Sequence, residues 1–108
     1  MPSLRQTKVA EAIAHLAGDF IARNANRDSL ITVTRADISP DLSQVTIFFS
    51  VLPEKMERVA LAFLKRERSE FREFIKKHHR MKSLPTVDFE IDYGEKNRQL
   101  IDALTRKK

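Results

Sequence analysis

Residues 44–52, QVTIFFSVL, alternate without interruption: Val45, Ile47, Phe49 and Val51 share one face, and Thr46, Phe48 and Ser50 the other. A period of two sustained over this length describes a strand with one buried face, because a helix would scatter the same side chains around its axis. Just upstream, LITVTRADI (30–38) is rich in β-branched residues and alternates likewise, except that its parity changes between Val33 and Ala36. One extra residue near Arg35 restores the alternation, so a β-bulge is expected there. Between the two runs lies SPDLS (39–43), whose composition favours a turn, with Asp41 placed to accept a bond from a backbone amide two residues on. Phe48 is an apolar ring on an otherwise polar face, read as a cross-strand packing residue with a partner contact as the alternative.

The remaining segments supply what must cover those strands. From about Ser3 to Asn24, Val9, Ile13, Leu16 and Phe20 recur at helical spacing, with Ala10, Ala17 and Ile21 beside them and Gly18 inside. Pro53 reads as a first-turn proline of a second helical stretch, whose apolar stripe is Met56, Val59, Ala60, Phe63 and Leu64 and then Phe71, Phe74 and Ile75. The stripe lapses at Glu67, Arg68 and Ser69, so either the helix kinks or two helices meet; a break is expected, with Ser69 capping the second helix. After Leu84 and Pro85, TVDFEIDY alternates Val87, Phe89, Ile91 and Tyr93 with Asp88, Glu90 and Asp92, a third strand with acidic residues turned to solvent. Leu100, Ile101 and Leu104 indicate a short final helix, with 105–108 frayed. The order is helix, strand, strand, helix, break, helix, strand. It calls for one α+β domain over 1–108, a three-stranded sheet with helices packed on one face.

Charge is distributed less evenly than apolarity. The stretch 65–82, KRERSEFREFIKKHHRMK, holds eight Lys and Arg against three Glu, and so accounts for the whole formal charge of +5. Cations gathered on one element sum their potentials within a Debye length and favour a polyanionic partner. Lys65, Arg68, Arg72, Lys76 and His79 recur at three or four residues and form a stripe beside the apolar one. The bland alternative is a solvated helix supported by pairs such as Glu73 with Lys76 or Lys77. A metal site on His78 and His79 is disfavoured, since neighbouring histidines on a helix diverge by ~100° and the chain has no cysteine. His78 is expected to pack or cap, and His79 to join the cationic surface. Asp88, Glu90 and Asp92 are read as solubilising an exposed face and not as ligands. With only Gly18 and Gly94, the chain has no glycine-rich phosphate loop, and no Ser, His and Asp arrangement stands out, so no enzyme is expected. The absence of cysteine, of an apolar leader and of any run near the ~20 apolar residues of a membrane span leads to a soluble cytoplasmic protein as the expectation.

With these residues in place, the chain resembles the ribosome-binding factor A family. The likeness is carried by ITVTRADISPDLSQVTIFFSVL (31–52), by FREFIKKHHRMKSLPTVDFEID (71–92) and by NRQLIDAL (97–104). The resemblance implies a type II KH-like fold. It also implies that a kinked Ala-x-Gly element replaces the GxxG loop of ordinary KH domains; Glu67, Arg68 and Ser69 stand there, so both small positions are altered. It further implies a non-catalytic, cofactor-free monomer that binds 16S rRNA on the immature 30S subunit, favours late maturation near the 5′ end, and matters most in the cold. On that reading Lys65, Arg68, Arg72, Lys76, Lys77, Arg80 and Lys82 meet phosphates, and Ser69 at a helix start offers amides to one more. The alternatives are a generic KH-like RNA binder and a protein-interaction module using the sheet face.

Overall fold

The computed structural model describes residues 3–94; the expected final helix and frayed end lie outside them. Helix α1 (Leu4–Asn24) begins where Ser3 and Gln6 form a capping box: the Gln6 amide donates to Ser3 Oγ (3.1 Å) and the Ser3 amide to Gln6 Oε1 (2.9 Å). Two initial amides that the helix cannot satisfy internally are thereby bonded. The Gln6 side chain also donates to the Ile38 carbonyl (3.3 Å), tying the start of α1 to the end of β1 (Leu30–Ile38).

Strand β1 pairs antiparallel with β2 (Gln44–Leu52), and β2 pairs parallel with β3 (Thr86–Ile91), giving the order β1-β2-β3. The parity change in the sequence appears as a register shift between Val33 and Arg35, with Thr34 as the extra residue. The SPDLS turn is held by Asp41 Oδ1, which accepts from the Ser43 amide (3.1 Å) and from the hydroxyls of Ser39 and Ser43 (both 2.7 Å). These bonds lower the Asp41 carboxyl from its ordinary 3.8 to about 2, the Ser43 hydroxyl being the largest cause.

Beyond β2 the structure departs from the expected first-turn proline. The Leu52–Pro53 peptide is cis, Pro53 is extended, a 3-10 turn covers Glu54–Met56, and α2 (Glu57–Arg66) starts only afterwards. Val59, expected inside, is 57% exposed, and α2 buries Ala60 and Leu64. The expected break is present: Glu67 alone separates α2 from α3 (Arg68–His78).

The helices cover one face of the sheet. Val45, Ile47, Phe49 and Val51 of β2 and Val87, Phe89 and Ile91 of β3 point into the core, against Ile13, Ala17, Phe20 and Ile21 of α1 and Phe71 and Ile75 of α3. Phe71 occupies the crossing point. Its ring centroid lies 5.3 Å from Phe20 and 5.8 Å from Phe89, and Phe89 in turn sits 6.4 Å from Phe49. Such tilted and edge contacts suit the aromatic quadrupole and add to the area that the rings bury.

Two measurements check this account. A methyl group at Gly18 would meet nothing within 4 Å, and alanine loses less backbone freedom on folding. Gly18→Ala is therefore expected to raise the unfolding free energy by roughly 0.5–1 kcal/mol in urea titrations. Because the folded Asp41 carboxyl is depressed, its contribution is present above the ordinary 3.8 and fades as pH falls toward about 2. In Ser39→Ala/Ser43→Ala, a carboxyl NMR titration should find Asp41 returned toward the ordinary value.

Candidate nucleic-acid interface

Apart from Arg66, which is exposed at the end of α2, the Lys and Arg residues of 65–82 divide into two groups. Lys65 and Arg68 turn toward β3: Lys65 Nζ lies 3.0 Å and Arg68 Nη1 3.4 Å from the same oxygen, Asp88 Oδ1. Arg72 donates through Nε to the Pro85 carbonyl (2.9 Å) and through Nη2 to the Leu84 carbonyl (3.4 Å). Pro85 is fully buried at the entry to β3, so the guanidinium fork clamps the corner that sets where the third strand begins. This flank of the stripe was expected to face outward. It leans on β3 instead because β3 is the sheet's edge and lies directly beneath that side of α3, within reach of long side chains.

Lys76, Lys77, Arg80 and Lys82 form the second group. All four are exposed, and none makes an ion pair with another described residue. Lys76 and Lys77 occupy the last turn of α3, where cations are favoured by the helix dipole, and Arg80 and Lys82 follow in the segment leading to β3. His78 stacks on Phe74 (centroids 4.2 Å apart) with Nδ1 2.9 Å from the Phe74 carbonyl, while the His79 amide closes the helix on Ile75 O (2.8 Å). The packing or capping expected of His78 is the observed arrangement. Among the described residues no cluster of His, Cys, Asp or Glu could hold a metal ion, and no helix is long and apolar enough to cross a membrane.

The junction between the helices corrects one expectation. Glu67, at φ −89° and ψ 5°, is the residue that interrupts the helix, and Ser69 is an exposed second residue of α3 and not its cap. The Glu67 amide is shared between the Phe63 and Leu64 carbonyls (both 3.1 Å), the Glu67 carbonyl accepts from the Phe71 amide (2.9 Å), and Arg68 Nε donates to the Lys65 carbonyl (3.0 Å). Backbone bonds and one guanidinium therefore do what a side-chain cap would otherwise do.

The outer face of the sheet also differs from expectation. Asp92, assigned to solvent, is 6% exposed and accepts from the Thr34 hydroxyl, with Arg35 Nε 3.7 Å away. The extra residue at the bulge brings Thr34 to that position; only its structural consequence, and not the sequence alternation, reveals the bond. Phe48 lies half-buried under the Arg35 guanidinium, 3.8 Å from the ring centroid, so its cross-strand partner covers it. At Asp88, partial burial pushes the carboxyl up, but the bonds from Lys65 and the Phe89 amide and the charges of Lys65 and Arg68 outweigh it and hold the group below its ordinary range.

The family description "Ribosome-binding factor A" matches residues 5–105. The chain belongs to the ribosome-binding factor A family. A Geobacter sulfurreducens protein of that name is 31% identical over 118 aligned residues, covering 96% of this chain and 94% of that protein. A Bradyrhizobium relative is 29% identical, with 96% of this chain and 79% of the relative covered. Among solved structures, the crystal structure of ribosome-binding factor A from Thermus thermophilus matches with a TM-score of 0.72 at 21% identity, over 80% of this chain and 94% of that one. A Thermus thermophilus homology model fitted into a cryo-EM map of a 30S complex matches with a TM-score of 0.69 at 21% identity, over 79% of this chain and 92% of that one. These likenesses bear out the KH-like α+β fold.

If Arg72 is a clamp, its charge alone will not replace it. Arg72→Lys keeps the cation but loses the fork, and is expected to lower the unfolding free energy by about 1–2 kcal/mol in denaturant titrations. Lys76→Ala, on the exposed group, should shift it by less than about 0.5 kcal/mol.

Proposed function

We propose that this chain binds the 30S ribosomal subunit through 16S rRNA and assists the late maturation of that RNA without catalysing a reaction, with its greatest weight in the cold. It acts as a cytoplasmic monomer on this reading. The observation that carries the proposal is the set of exposed cations Lys76, Lys77, Arg80 and Lys82 continuing from the Arg68 and Lys65 corner, on a scaffold whose family is named for ribosome binding. The 30S complex into which a Thermus relative was fitted supports the choice of particle.

The different partners of the cations in the basic stretch support giving them different parts in meeting RNA. Lys76, Lys77, Arg80 and Lys82 reach phosphates directly. Lys65 and Arg68 reach them from the helix junction, beside Ser69, an exposed residue in the first turn of α3 that on this reading offers its amide to an anion. Arg72 contributes its field while its fork stays on the Leu84 and Pro85 carbonyls. Phosphate contacts fix position and carry little sequence information, so recognition rests on the shape of the folded rRNA. The reading in which the sheet binds a protein is weakened by Arg35, which covers Phe48.

Sedimentation of the protein with purified 30S particles, mature and immature, at several salt concentrations tests the proposal. With about four to six phosphates neutralised, log K should fall with log salt at a slope near −3 to −5. The variant Lys76→Glu/Lys77→Glu/Arg80→Glu should lose at least about tenfold in affinity while remaining folded, with an unfolding free energy lowered by only about 1–2 kcal/mol through the helix dipole. A salt-insensitive association, or one indifferent to this charge reversal, would defeat the RNA reading.

A further inference from the structure

Three donors from three elements meet at one point beside the helix junction. Lys65 Nζ of α2 (3.0 Å), Arg68 Nη1 of α3 (3.4 Å) and the Phe89 amide of β3 (2.9 Å) all address Asp88 Oδ1. The Phe89 amide is available because of the strand's position. The amides of Thr86 and Asp92 donate to Ser43 O and Phe49 O of the neighbouring chain segment, both at 2.8 Å, so even-numbered amides face β2. Alternation along the strand then sends the Phe89 amide to the side of β3 on which no strand of the described residues lies. A backbone N–H, an ammonium and a guanidinium converging on one oxygen make the donor set of a phosphate site, and here the chain's own carboxylate fills it.

We infer that Asp88 is an internal competitor for a phosphate site formed by Lys65, Arg68 and the Phe89 amide, and that it lowers the affinity of this corner for RNA. The burial of the group decides between a competitor and a structural bridge. The side chains of Lys65, Arg68 and Asp88 are 41%, 47% and 41% exposed. Ion pairs so exposed add little to stability, too little for the fold to need them when Val87 and Phe89 already anchor β3 in the core. The same exposure gives the carboxylate water to swing into when a phosphodiester oxygen takes its place. With Asp88 present the three side chains carry a net +1; with a neutral residue there they carry +2. By accepting from the Phe89 amide the carboxylate also occupies a donor on the outer side of β3 that would otherwise invite strand pairing.

As a site for phosphate this inference stands on the donor geometry; as a site for RNA phosphate it rests on the function proposed above. Two assays separate them. In Asp88→Asn, whose neutral side chain competes less for the three donors, NMR titration with inorganic phosphate should move the Phe89 amide and the Arg68 guanidinium signals at phosphate concentrations about three- to tenfold lower than in the wild type. Against 30S particles the same variant should bind about three- to tenfold more tightly, with a salt slope steeper by about one. Equal or weaker phosphate binding by the variant overturns the inference, because a carboxylate that merely positions Lys65 and Arg68 would be missed when removed. If the wild type has no affinity for 30S particles, the proposed function falls, and the phosphate titration still decides this point. Should Asp88→Asn unfold, Asp88→Ser carries the same two comparisons.

Discussion

Phe71 holds the two layers together. It reaches Phe20 of α1 on one side and Phe89 of β3 on the other, and Phe89 leads on to Phe49 in the middle of the sheet, so one line of rings crosses every layer of the molecule. All three residues at its centre, Phe49, Phe71 and Phe89, are fully buried. Aromatic pairs of this geometry add about 0.5–1.5 kcal/mol each beyond the area they bury. The orientation of α3 follows from that line. With Phe71 and Ile75 committed to the core, Arg72 is turned to the flank above β3 and Lys76 and Lys77 to solvent, so the charge pattern of the surface is fixed by the packing beneath it.

The basic element accordingly contains cations of different kinds. Arg72 is bonded to backbone carbonyls at the entry to β3 and belongs to the fold as much as to any interface. Lys65 and Arg68 share a carboxylate that water can reach. The four beyond them stand in solvent. A polyanion would meet this surface in an order set by those differences, first the unpaired cations and then the corner where a carboxylate has to be displaced. Coulombic steering at long range depends on the sum, whereas close contact depends on which cations are free.

Most of the fold was legible in the sequence, since period two and period 3.6 are properties of the chain itself. The alternation of Val45 to Val51, the stripe of α1, the break near Glu67 and even the extra residue between Val33 and Arg35 were readable for that reason. What escaped depends on contacts between distant segments. Asp92 looked like one more solvent-facing acid until the bulge brought the Thr34 hydroxyl to it across β2. Periodicity placed Val59 inside, but α2 begins only after a separate 3-10 turn, and the phase of its buried side follows Ala60 and Leu64. Ser69 had the composition of a cap, yet the backbone at Glu67 satisfies the junction without one. The basic stretch was evident as composition; its partition between β3 and solvent was not, because nothing local states that Asp88 and the 84–85 carbonyls lie beneath it.

The elbow at Glu67 carries a last implication. Its backbone angles lie in a sparsely populated but open region for any L-amino acid, and its polar groups are satisfied by main-chain atoms and by Arg68. Nothing about the bend therefore requires glycine or alanine, and bulky charged residues can occupy the corner as well as small ones. The bend and its chemistry are separable. A lineage can rewrite the electrostatic character of this corner, residue by residue, while inheriting the same architecture.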